Sequence, residues 1–153
     1  MSVLLDTNAF RKAVLGLGPV TKSTGTLAAT TVALFTVATG RVMVTSMFGL
    51  VTTSITVANS YKLQFNPTTG DTQDMCAATD IGGTDTLAGS IVQFGLSTTT
   101  APPKLISVGY GTAMLNTVIS IGQIESVSAG TDGVITWYAT WVPLDDGATL
   151  VAA

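Results

Sequence analysis

Tyr61, Leu63 and Phe65 alternate with Lys62 and Gln64. A period of two sets the three apolar side chains on one face of a strand and the polar pair on the other. The alternation returns late in the chain. There Ile135, Trp137, Ala139 and Trp141 fall on one face, and Thr136, Tyr138, Thr140 and Val142 on the other. Residues 42–50 are apolar on both sides: Val42, Val44, Ser46, Phe48 and Leu50 share one face, Met43, Thr45 and Met47 the other. That pattern predicts a strand covered on both sides, with Gly49 marking a bulge or bend. Residues 26–40 add a β-branched run ended by Gly40. Ile91, Gln93 and Gly95 against Val92, Phe94 and Leu96 add another strand.

Turn chemistry separates these runs. Asn66-Pro67-Thr68-Thr69-Gly70 reads as a turn, with Pro preset for its first corner and Gly closing it. Residues 70–90 form the longest loop-like stretch and hold Asp71, Asp74, Asp80 and Asp85. Pro102-Pro103 makes a stiff connection that cannot join a sheet ladder, and Gly109 and Gly111 flank Tyr110. The Gly130–Gly133 stretch, with its Asp132-Gly133 pair, predicts a hairpin that pairs residues 134–142 back on the strand before them. Pro143 ends that strand, and Asp145-Asp146-Gly147 turns the chain once more. Residues 148–153 carry no charge and are predicted to pack as a strand, in their own sheet or against a neighbouring subunit.

Only the start of the chain has a helical period. Asp6, Thr7 or Asn8 can cap a helix whose apolar positions are Ala9, Phe10, Ala13, Val14 and Leu17, with Gly16 as a stop and Pro19 barring continuation. Two readings stand for it, a short packing helix and an arm lying on a neighbouring subunit. Eight or nine short strands with turns every 8–12 residues predict an all-β fold. The first choice is an antiparallel β-sandwich of jelly-roll type, the second a closed β-barrel. Residues 1–25 are assigned to the arm or short helix and 26–153 to a single β domain.

Composition sharpens this picture. Charged residues make up 10% of the 153, with Glu125 the single glutamate, and mean hydropathy is +0.53. Thr and Val suit a pleated surface, and strong surface-helix formers are scarce. Net charge is −3, and the basic residues are scattered apart from Arg11-Lys12, so no nucleic-acid footprint is drawn. The uncharged stretches 23–40 and 42–61 are long enough for a membrane span. Their Thr, Ser and Gly content reads instead as strands with polar, uncharged faces. No secretion signal is expected at the start.

The chemistry on offer is thin. There is no histidine, so the commonest general base and metal ligand is missing. The acids cluster in turns rather than as a pair on rigid elements, and their spacing does not match a calcium loop. Cys76 has neither a second thiol nor a histidine and reads as a buried structural thiol. No enzymatic activity, catalytic residue, cofactor or metal is expected. The one candidate ligand platform is Trp137 with Trp141, four residues apart on one strand face, which could bind a sugar if exposed or form core if buried.

Three stretches, LFTVATGRVMVTSMFGLVTTSI, KLQFNPTTGDTQDMCAATDIGG and ITWYATWVPLDDGATLVAA, resemble small virion structural proteins of tailed bacteriophages. The likeness covers most of residues 30–153. It implies a component of the phage particle, made in the host cytoplasm, that decorates the capsid exterior as a homotrimer on the major capsid protein, with no membrane or nucleic-acid partner. The alternative is a head-fibre or tail receptor-binding module, with carbohydrate as a ligand for exposed aromatics. No catalytic residue is implied.

Overall fold

The structure is a computed structural model that describes residues 16–95, 104–107 and 116–153. Twelve strands and no helix are found among them. They are β1 (Leu17–Thr26), β2 (Thr31–Ala38), β3 (Val42–Thr53), β4 (Ser60–Pro67), β5 (Gln73–Asp74), β6 (Thr79–Asp80), β7 (Ile91–Gly95), β8 (Lys104–Ser107), β9 (Thr117–Ile119), β10 (Gly122–Ser128), β11 (Val134–Pro143) and β12 (Thr149–Ala152). The first sheet runs β1-β11-β3-β7-β8, with β9 also on β3. The second runs β12-β2-β10-β4-β5, with β6 also on β4. All pairings are antiparallel.

The order β1-β11-β3-β7 opposite β2-β10-β4-β5 is the jelly-roll arrangement predicted from the strand spacing. The sheets stay open at their edges, so the second-choice barrel does not form. The stretch assigned to an arm ends earlier than residue 25, because Leu17–Thr26 is a full strand on β11. The helix expected from Asp6 to Gly16 falls almost wholly on residues outside the described set. So do the Pro102-Pro103 connection and Tyr110.

The predicted hairpin is corrected. β10 lies in the second sheet and β11 in the first, so residues 129–133 arch across the sandwich. A two-residue hairpin turn needs positive φ at Asp132 as well as Gly133. Only Gly133 adopts it, at 83°. Asp132 instead accepts from the Thr56 amide at 2.8 Å and the Thr56 hydroxyl at 2.7 Å, tying the arch to the β3–β4 connection. Asn59, wholly buried, holds the arch's other limb: its Oδ1 accepts from the amides of Ala129 (3.0 Å) and Gly130 (2.9 Å).

Inward side chains of both sheets form one core. Trp137 of the first sheet donates its Nε1–H to the Tyr61 hydroxyl of the second at 2.9 Å, with the rings stacked at 6.4 Å. Both are 0% exposed. A buried Trp N–H left without an acceptor costs about 1–3 kcal/mol, so the pair fixes the register between the sheets as well as filling space. Bulges shape the core edges. Leu34 is the extra residue of β2 opposite Ile124 and Glu125, which lets Leu34 and Phe35 both point inward.

Candidate interaction face

β3 carries the correction that matters most for a functional surface. Thr140 of β11 pairs with Ser46 and Trp141 with Val44, so Thr45 is an extra residue. This bulge, not Gly49, interrupts the alternation of β3, and it reverses which side chains face the core. Val42 and Val44 are buried before it, and Met47 and Val51 after it. Phe48 and Leu50, which simple alternation groups with Val42 and Val44, are thereby turned to the outer face. Gly49 is a point of close approach: a Cβ there would lie 2.6 Å from Ile135 Cγ2 and 3.1 Å from the Trp137 ring.

The outer face of the first sheet is therefore ordered in cross-strand rows. Val142, Met43 and Val118 make one row, Tyr138, Phe48 and Gln93 a second, and Thr136, Leu50 and Ile91 a third. None of these nine residues is charged. Phe48 and Tyr138 stack with centroids 5.0 Å apart and planes 10° from parallel. Between the first two rows the hydroxyls of Thr45 and Thr140 meet at 2.8 Å.

The opposite outer face, on the second sheet, is polar. Glu125 is 8% exposed there and accepts from Gln64 Nε2 at 2.7 Å and Asn66 Nδ2 at 3.1 Å. Lys62 pairs with Asp74 at 2.6 Å. The two faces thus differ in kind: one carries carboxylate, amide and ammonium groups paired with one another, the other apolar and hydroxyl-bearing side chains.

The residues singled out from the sequence take structural places. Trp137 is 0% and Trp141 7% exposed, so the proposed sugar platform is core. Cys76 is buried beside β4, where its Sγ accepts from the Leu63 amide at 3.2 Å, and burial pushes its thiol up to about 11. Three aspartates organise turns. Asp80 accepts from the amides of Asn59, Gly82 and Gly83 at 2.8–3.0 Å, which holds its carboxyl below the usual range. Asp132 is lowered by the Thr56 and Val57 donors. Asp145 is brought to about 2, first by the Arg41 side chain, whose Nη2 lies 2.7 Å away, and then by the Arg41 amide. No group of three or more His, Cys, Asp or Glu among the described residues could hold a metal ion.

The Phe48–Tyr138 pair is not marked by a straight count along the sequence, because one inserted residue at Thr45 moves Phe48 to the other face. A scan against protein-family models and searches of curated proteins and solved structures found no match to this chain.

Proposed function

We propose that this chain is a structural component of a bacteriophage particle, a non-enzymatic decoration or cement protein that binds the outer shell through the major capsid protein, as a homotrimer. The observation that carries the reading is the set of three uncharged cross-strand rows on the outer face of the first sheet. A protein whose task is chemistry concentrates titratable groups in a cleft. Here Asp80, Asp132 and Asp145 serve turns, Glu125 and Asp74 pair with neighbours on the second sheet, the thiol is held protonated in the core, and the distinctive surface is an apolar, hydroxyl-bearing sheet face. Contiguous surface of that kind marks protein–protein contact. The phage resemblance supplies the partner class; the sandwich fold alone would not, since jelly rolls host unrelated functions.

The receptor-binding alternative is the weaker reading. Its aromatic platform is buried, and among the described residues the outer aromatics Phe48 and Tyr138 stack on each other and so leave less free ring face for a sugar. Electron microscopy of particles assembled with and without this chain tests the proposal. Density at fixed positions on the outer shell, lost when the gene is deleted, is the expected result. An unchanged shell map overturns it, and density confined to a fibre or tail tip transfers the function to the alternative.

A further inference from the structure

We infer that copies of this chain meet at the end of the sandwich that carries Arg41, Val118, Ile121, Leu144 and Asp146, with Arg41 of one copy set against Asp146 of the next. The inference rests on the homotrimer of the reading above and names its contact. It starts from where exposed apolar side chains gather. Six large hydrophobic side chains are exposed among the described residues, and three of them, Val118, Ile121 and Leu144, lie at this end, each 45–57% exposed. Strand pairing brings their segments together. Val42 pairs with Pro143 on one side and Ile119 on the other, and the Leu144 amide donates to the Arg41 carbonyl at 2.9 Å. The end is also held firmly. The Arg41 amide, Nε and Nη2 all donate to the Asp145 carboxylate at 2.7–2.9 Å. A Cβ on Gly40 would lie 2.7 Å from the Asp145 Cβ, so the β2–β3 and β11–β12 connections are pressed together. Thr39, which leads into them, is the one described non-glycine residue with positive φ, 68°, an uncommon conformation for a β-branched side chain. A surface fixed in this way loses little freedom on association.

Charge selects the occupant. Arg41 spends Nε and Nη2 on Asp145 and keeps Nη1, with its side chain 62% exposed. Asp146 is exposed and makes no hydrogen bond or ion pair with a described residue. One end therefore offers an unspent cationic donor, an unspent carboxylate and three apolar side chains. Such a surface is complementary to itself. Arg41 of each copy meets Asp146 of the next around a closed ring, and the apolar side chains are buried between them. The opposite end lacks this property. Val57 and Leu87 are exposed there, but the connections 54–59, 81–90 and 129–133 hold Asp85 and Asp132 and no Lys or Arg. Two copies meeting there would bring like charges together.

The test is sedimentation of the full-length protein over a range of concentrations. The parent should sediment as a trimer. Leu144→Asp and Ile121→Asp should each weaken association at least about tenfold with an unchanged far-ultraviolet spectrum, and Val57→Asp at the opposite end should not. Asp146→Arg sets like charges against each other, so its effect should be larger at low salt than at high salt. Benzoylphenylalanine in place of Ile121, in a mixture of isotope-labelled and unlabelled copies, should give mixed-isotope adducts on residues 41–43, 117–121 or 143–147. A parent that stays monomeric at every concentration overturns the inference and the homotrimer together, and leaves shell binding to its own test. A trimer that Leu144→Asp and Ile121→Asp leave intact, or mixed-isotope adducts confined to the opposite end, overturns the inference alone. A dimer dissolved by the same changes supports the contact and corrects the copy number to two.

Discussion

Gly49 has no side chain because the Ile135 methyl and the Trp137 ring occupy the place where one would go. Gly49→Ala forces a displacement in a close-packed core, and overpacking of this kind costs about 1–3 kcal/mol. Chemical denaturation should show that loss with an unchanged m-value. Asp145 makes a different kind of prediction. Its folded value near 2 lies below the ordinary aspartate value of about 3.9. A depressed carboxyl contributes stability that is complete above the unfolded value and is lost as pH falls through the folded one. The contribution should therefore fade between about pH 4 and pH 2, while Arg41 stays charged throughout. Asp145→Asn should lower the melting temperature at pH 7 by no more than about 4 °C, because the pair is surface-exposed. The gap from the parent protein should close as the pH approaches 2, as read by melting curves across that range.

At the scale of the element, β12 shows what a short terminal strand contributes. It pairs with β2 from Thr149↔Ala38 to Ala152↔Phe35, and the Ala153 amide donates to the Leu34 carbonyl at 3.1 Å. Lys22 of β1 donates to the Ala153 carbonyl oxygen, which ties the adjoining edges of the two sheets. Uncharged residues 148–153 thus pack as a strand in their own sheet, one of the two arrangements predicted for them. Alternation still separates the two large side chains. Leu150 is 2% exposed and Val151 49%. Leu150→Ala should cost about 2–5 kcal/mol and Val151→Ala less than about 0.5 kcal/mol, measured by equilibrium denaturation. Equal effects would show that β12 contributes backbone pairing alone.

For the whole molecule, strands adjacent in sequence mostly lie in opposite sheets, so most ladders join distant parts of the chain, β4 with β5 and β6 and β7 with β8 being the local ones. Such topology makes folding slow, on the order of milliseconds to seconds. It also makes the core open as a unit. Cys76, 0% exposed and with its thiol pushed up to about 11, reports on that opening. Its modification by a thiol reagent at pH 8 should be slow in the native protein. The rate should rise with denaturant in parallel with global unfolding. Rapid labelling without denaturant would mean that the segment from β5 to β6 opens locally.

What the chain determines by itself is strand identity and the partition of side chains within each unbroken run. The Tyr61-Leu63-Phe65 and Ile135-Trp137-Ala139-Trp141 alternations point inward as their period dictates, because a pleat admits no other arrangement when one face is buried. The reversal near Gly70 and the buried Cys76 were legible for similarly local reasons, although β4 runs on through Asn66 and Pro67, paired with β10, so that the chain bends only after the expected first corner. The candidate face was not. Its central residue, Phe48, depends on the extra residue at Thr45, and a bulge is set by pairing with β11, almost a hundred positions away. The 130–133 arch was misread for the same reason: Asp132 and Gly133 suit a tight turn, and only the distant Thr56 and Asn59 decide that the chain crosses between sheets instead. Local sterics select strands and turns. Which strands meet, and hence which side chains are left to face a partner, is decided by hydrogen bonds and packing that exist only once the sandwich has closed.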